Sequence, residues 1–228
     1  MIRLLHVSKT YAPKCPALRD ITLQIDKGEL VLLTGPSGAG KTTFMKLLIR
    51  EEEPTTGQVF INDQNVGRLN SQGVARLRQR MGLVFQEFKF LPEMSALDNV
   101  ALSAIVAGVP RKESYSKAHR LLGELGLQDK FDVKPSALSG GEQQRVVIAR
   151  ALMNDPIVVL ADEPAGNLDA DLTEEMMRLF RKAQKRGTTI VVGSHDPGLS
   201  QRYATRVIFL KEGCLVNDLI AAEEGPGR

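Results

Sequence analysis

The chain is poor in cysteine, in aromatic side chains and in long apolar runs, and each shortage removes a class of explanation. Its 228 residues hold two cysteines, Cys15 and Cys214, far apart and outside any C-x-x-C spacing. That excludes a disulfide scaffold or a cysteine-based metal site and reads as reduced thiols in a reducing compartment. No apolar stretch reaches the ~20 residues that a membrane-spanning helix needs. The longest candidate, Val100 to Val109, is interrupted by Ser103 and stops at Pro110. The start, Met1-Ile2-Arg3-Leu4-Leu5-His6-Val7-Ser8, lacks the apolar core of a signal peptide. Neither sign of charge dominates: the formal net charge is +3, too small to imply a nucleic-acid partner. The expectation is a cytoplasmic protein that reaches a membrane only if something else holds it there.

The length suits one large α/β domain or a domain with an inserted subdomain. Residues 2–7, 20–25 and 58–62 alternate or cluster apolar side chains between turn signals, which predicts a β-rich N-terminal portion. Asp26-Lys27-Gly28 and Asn62-Asp63-Gln64-Asn65 read as turns. From Phe88 to Ala137 the character changes. Ala118, Leu121, Leu122 and Leu125 fall at helical spacing within Ser114–Leu125, and Gly126 supplies a stop. Strand and helix then alternate over Ile157–Ala161, Leu172–Lys185 and Thr188–Val192, the rhythm of a parallel sheet with crossover helices. The predicted organisation is a single domain over 1–220, with a core of 1–87 and 138–220, a helical insertion at 88–137, and a disordered tail at 221–228.

Chemistry first shows at Gly35-Pro36-Ser37-Gly38-Ala39-Gly40-Lys41-Thr42, which fits G-x-x-x-x-G-K-[ST]. The run Leu30–Leu33 before it is a strand buried on both faces, and Thr42-Thr43-Phe44-Met45-Lys46-Leu47-Leu48 after it is a helix. Glycines between the two let backbone N–H groups turn inward around phosphate oxygens, at the positive end of the helix dipole. Lys41 is placed to reach the β- and γ-phosphates, and the Thr42 hydroxyl to meet Mg²⁺. A second strand, Val158-Val159-Leu160-Ala161, ends in Asp162-Glu163. Ligands in open α/β sheets bind beyond the carboxyl ends of strands. Asp162 is therefore assigned to the Mg²⁺ shell and Glu163 to activating the attacking water. At Leu138-Ser139-Gly140-Gly141-Glu142-Gln143-Gln144-Arg145, Ser139 can cap a helix whose glycines admit close approach of an anion.

With these motifs in this order, the chain resembles the nucleotide-binding subunits of the ATP-binding-cassette (ABC) ATPases from about Ile2 to Asp218. The resemblance implies an α/β phosphate-loop core with a β-rich N-terminal subdomain and an inserted helical subdomain. It implies ATP and Mg²⁺ as ligands, hydrolysis to ADP and phosphate, and a homodimer with ATP sandwiched between the copies. By position, Tyr11 matches the aromatic residue that stacks on adenine, and residues Gly35 to Thr43 match the phosphate loop. Gln86 matches the glutamine that touches Mg²⁺ and the reactive water. Ser139 and Gly141 match the signature residues that contact the γ-phosphate held by the other copy. Asn167-Leu168-Asp169 matches the loop that communicates across the dimer, and His195 the histidine on the γ-phosphate. A lone Tyr, Gln or His carries little information; their joint order and spacing carries the match.

Ala161-Asp162-Glu163-Pro164-Ala165-Gly166-Asn167-Leu168-Asp169 is similar to a stretch shared by cell-division, lipoprotein-release and macrolide-efflux ATPases. Phe85–Pro92 and Leu97–Leu102 look most like the cell-division branch. Ala165, in place of the usual Thr, and Pro197 after His195-Asp196 depart from the pattern. The branch implies an FtsX-like integral membrane partner, control of cell-wall hydrolysis, a peripheral place on the cytoplasmic face of the inner membrane, and no nucleic acid. The alternative within the family is the ATPase of a lipoprotein-release or macrolide-efflux transporter. A DNA-repair or translation ATPase would need a long coiled coil or two cassettes, and a small-molecule kinase would lack the signature helix.

Overall fold

Ile2, Leu4 and Val7 face Ile25, Leu23 and Ile21 across an antiparallel pair, and all six are buried; the period of two holds along Ile21, Leu23 and Ile25 and is broken by a register shift between Leu4 and Val7. The computed structural model describes residues 1–85, 88–166 and 168–220, apart from the side chains of Pro197, Ser200 and Gln201. Along the chain, β1 (Ile2–Tyr11) and β2 (Cys15–Ile25) are followed by β3 (Leu30–Thr34) and α1 (Lys41–Leu48). Next come β4 (Thr56–Ile61), the short β5 (Gln64–Asn65) and α2 (Ser71–Gln79). β6 (Met81–Val84) precedes α3 (Ala96–Val106), α4 (Arg111–Glu124) and α5 (Gly140–Leu152). The rest is β7 (Val158–Asp162), α6 (Ala170–Lys185), β8 (Thr189–Gly193), α7 (Pro197–Tyr203), β9 (Arg206–Lys211) and β10 (Cys214–Ile220).

The chain divides into two compact units, one of residues 1–77 with the chain from 189 onward, the other of residues 78–188. In the first, an antiparallel sheet runs β2-β1-β4-β5. A second layer sets β3 parallel to both β8 and β9, and β9 turns back into β10. Leu30, Val31, Leu32 and Leu33 are all fully buried, as a strand covered on both faces must be. Arg206 fastens this layer, donating to Glu29 at 3.0 Å and to Asp218 at 2.6 Å. Those hydrogen bonds, Asp218 first, hold its guanidinium pKa above the ordinary value.

In the second unit β6 and β7 pair in parallel, Met81 opposite Val158 and Val84 opposite Ala161. Gly82 matters here, because a Cβ on it would lie 2.3 Å from the Ala151 carbonyl oxygen. A side chain would push α5 off the strand. Ser95 and Asp98 form a capping box at the start of α3. Asp98 also accepts from the Tyr115 hydroxyl at 2.6 Å, which ties α3 to α4 and, more than any other contact, keeps that carboxyl below its usual pKa.

Several boundaries move from their sequence expectation. The helix expected over 114–125 begins at Arg111, ends at Glu124, and is stopped by Gly126 at φ +67°. The Asn62–Asn65 turn is half turn and half strand: Asn62 and Asp63 have positive φ, while Gln64 and Asn65 pair with β4. Cys15 and Cys214 are unbonded thiols. Among the described residues no helix is long and apolar enough to cross a membrane.

Candidate nucleotide site

β3 delivers the chain into a loop that is walled by backbone. A Cβ on Gly35 (φ +146°) would meet the Leu210 carbonyl oxygen of β9 at 2.1 Å, and one on Gly40 (φ +105°) the Ala17 carbonyl oxygen of β2 at 2.5 Å. Only glycine fits either place, on both conformational and steric grounds. The Ala39 amide donates to Pro36 O at 3.1 Å, and the Gly213 amide at the β9–β10 turn donates to Ala39 O at 3.2 Å. The loop is thus fixed on one side while Pro36, Ser37 and Gly38 stay exposed. Lys41, only 8% exposed, donates from Nζ to Gly35 O at 2.7 Å and to Pro36 O at 3.3 Å. Its charge therefore sits inside the loop. Thr42 is exposed and Thr43 half-buried in the first turn of α1. The pocket of amides, one ammonium and a helix N-terminus fits a polyphosphate.

The same unit brings Tyr11 and His195 to this end of the fold. Tyr11 closes β1 opposite Cys15, and the hairpin continues to Ala17, which abuts Gly40. The Tyr11 ring has the Lys9 ammonium 4.9 Å from its centroid. Lys9 is itself fixed by Glu52 at 2.7 Å and by Glu53 O at 2.9 Å. This anchoring of the Tyr11 ring had no sequence signal. His195 lies two residues beyond β8, whose Gly193 is opposite Leu33 of β3, and the Ser194 amide bonds Leu33 O at 3.1 Å. His195 is exposed and leaves the sheet at the edge where β3 enters the phosphate loop. Asp196 steadies the next turn, accepting from the Gly198 amide at 2.8 Å.

The second unit holds the other candidate residues. Asp162 is the last residue of β7, one beyond the expected strand end, and is 8% exposed. Glu163 follows, half-buried, with φ +48°. A left-handed glutamate at a strand terminus is the kind of strain found at working sites. Ser139 caps α5 as expected, with Glu142 closing a capping box: Ser139 Oγ accepts from the Glu142 amide at 3.3 Å, and the Ser139 amide donates to Glu142 at 2.8 Å. That second bond is the leading reason the half-buried Glu142 carboxyl lies below its usual pKa. The first amides of a helix have no carbonyl behind them. With the Glu142 amide satisfied, those of Gly140 and Gly141 are available to an anion. A Cβ at Gly140 would meet nothing within 4 Å. Asp169 caps α6, accepting from the Leu172 amide at 2.9 Å. Gln86 and Asn167 lie outside the described residues, as does the 221–228 tail.

Residues 18–166 match the ABC transporter family. The chain belongs to that family. This ABC cassette is an ATP hydrolase by membership. It is 44% identical over 219 residues to the cell division ATP-binding protein FtsE of Mycobacterium tuberculosis, covering 96% of this chain and 95% of that one. A macrolide export ATP-binding/permease protein MacB of Shewanella is 43% identical, but the match spans 88% of this chain and only 31% of MacB. Among solved structures, the cassette is similar to MJ0796, a bacterial ABC transporter cassette solved as a dimer. The TM-score is 0.92 at 36% identity, covering 97% of this chain and 99% of that one. MJ0796 is also known in a dimeric post-hydrolysis state bound to ADP and Pi. The α/β cassette fold and nucleotide binding expected from the motifs are those of the family.

Proposed function

We propose that the chain is the ATPase subunit of a cell-division complex of the FtsE type. It works as a homodimer on the cytoplasmic face of the inner membrane, held there by an FtsX-like integral partner, and regulates cell-wall hydrolysis. The observation that carries this reading is the end-to-end match to a cell-division cassette, against a partial match to a transporter with a fused permease. The core at 1–87 and 138–220 and the helical part at 88–137 belong to the same proposal.

In this reading the phosphate loop and Lys41 bind the β- and γ-phosphates of ATP while Tyr11 stacks on adenine. Glu163 takes the proton from the attacking water, with Gln86 beside that water and His195 on the γ-phosphate. Ser139 and Gly141 serve the ATP bound by the other copy, and Asp169 lies in the loop that links the two. Thr42, Asp162 and Gln86 supply the hard oxygens that suit Mg²⁺, which when bound neutralises phosphate charge. Among the described residues no three His, Cys, Asp or Glu side chains cluster as a metal cage.

Lys41→Ala removes a charge-assisted contact worth roughly 1.5–3 kcal/mol, so affinity for ATP should fall by about one to two decades. Calorimetry on the purified subunit checks this, and unchanged affinity would mean Lys41 does not reach the phosphates.

The partner is proposed to dock on residues Phe88–Met94. Asn99 shapes this loop by accepting from the Leu91 amide at 2.9 Å and donating to the carbonyls of Leu91, Met94 and Ser95. Phe88, Phe90 and Met94 are half-buried, whereas Leu91 is 45% exposed. An apolar side chain held outward on a pinned loop suits the apolar face of a short helix. Leu91→Ser should therefore abolish co-purification with the FtsX-like subunit without lowering the melting temperature of the isolated chain. A complex that survives the substitution places the dock elsewhere.

A further inference from the structure

The Phe88–Met94 loop is held from two directions. Asn99 of α3 holds its second half; its first half is held by Arg150, in the last turn of α5. Arg150 Nη1 donates to Lys89 O at 3.1 Å and Nη2 to Phe88 O at 2.6 Å. The guanidinium carbon stands 5.6 Å from the centroid of the Phe90 ring, which packs 5.7 Å from that of Phe88. Lys89 takes a left-handed φ of +46°, and this bend presents the two neighbouring carbonyls to one guanidinium. A planar fork with fixed donors can bridge two carbonyls and stack on a ring at once; an ammonium cannot. Burial pushes the Arg150 pKa down, so its charge is partly stripped of water at this contact.

The other end of the same helix is Ser139-Gly140-Gly141. α5 is 13 residues long, about 20 Å at 1.5 Å per residue, and is stiff along its axis. Its N-terminal amides and its Arg150 clamp are therefore parts of one rigid rod. A load on Leu91 reaches Phe90 and the two clamped carbonyls next, and Phe88 itself follows Gln86 closely in the chain.

We propose that Arg150 is a positioning residue that relays occupancy of the Phe88–Met94 loop along α5 to the anion-binding end at Ser139–Gly141. This rests on the docking role proposed for the loop. The fold supplies the connection: one side chain joins a surface loop to one end of a helix whose other end carries Ser139–Gly141. Arg150 touches no substrate in this scheme. It makes ATP turnover sensitive to the partner.

The test compares kcat of the isolated subunit with kcat of the complex with its FtsX-like subunit in lipid nanodiscs. Arg150→Lys keeps the charge and loses the fork. The partner-dependent change in kcat should shrink by at least roughly fivefold, the low end of ordinary coupling between sites. The complex should still form, and KM for ATP should not move. Undiminished stimulation overturns the relay, and so does loss of the complex, which would make Arg150 part of the dock alone. Wild-type protein provides a second reading that does not depend on the variant folding. On adding the partner, amide hydrogen exchange should slow at 88–94 and change at 140–143 together. Slowing at 88–94 alone overturns the relay and leaves docking intact. No change at 88–94 rejects the docking role, and the relay falls with it.

Discussion

Glu163→Gln is expected to slow ATP hydrolysis by roughly 10²–10⁴-fold, the usual contribution of a general base, while ATP binding is retained. The amide keeps the shape and the hydrogen-bonding reach of the carboxylate but cannot accept the proton of the attacking water. The φ of +48° at this position makes the comparison clean. Glutamine meets the same left-handed strain as glutamate, so the backbone turn after Asp162 has no new reason to relax. ATP that binds and is not cleaved should hold two copies together. Size-exclusion chromatography with ATP and Mg²⁺ should then show a dimer for the variant where the wild-type chain turns over and separates. Hydrolysis at near wild-type rate would remove Glu163 from the chemistry, and slow hydrolysis without a dimer would leave the base in place but count against the ATP sandwich.

Where the chain carries strong local signals, sequence reading and structure agree. The phosphate loop is bounded by an unbroken apolar strand and a helix, and both ends fall within a residue of expectation because glycine with positive φ leaves few alternatives. The Ser139 cap was legible for a similar reason, a hydroxyl before two glycines at the start of a helix. Other parts gave weaker signals. Val100–Val109 read as an interrupted apolar run, yet the helix there is Ala96–Val106, with Ala96, Leu97, Val100, Ala101 and Ala104 buried. The Ser95-x-x-Asp98 capping box was the available clue. The β9–β10 hairpin has no clean alternation, with Val216, Leu219 and Ile220 exposed, although its Leu210 carbonyl and Gly213 amide wall the phosphate loop. Arg150 is invisible to pattern reading. In sequence it is one more basic residue late in a helix, and its meaning comes from carbonyls on a loop distant in the chain. The left-handed turn at Glu163 likewise leaves no compositional trace.

Ser139→Arg should abolish hydrolysis while the isolated chain still binds ATP, because the signature end of α5 is proposed to serve the nucleotide of the other copy. A long cationic side chain at the cap would block close approach of a γ-phosphate to the Gly140 and Gly141 amides. The substitution also breaks the capping box, at a cost of about 1 kcal/mol in helix stability, so a control is needed. Ser139→Ala loses the cap without adding bulk. If cap loss alone explained the defect, the two variants would behave alike. The blocking account expects the alanine variant to keep measurable turnover. Mixing sharpens the test further. In a heterodimer of Ser139→Arg with Lys41→Ala, one composite site pairs an intact phosphate loop with an intact signature, and the other carries both defects. Random pairing of equal amounts, with independent sites, should recover at most about a quarter of wild-type activity from two inactive chains. Recovery can only arise if each site is built from two copies. Should Ser139→Arg lose ATP affinity as an isolated chain, or should the mixture stay inactive while heterodimers demonstrably form, the shared site is wrong.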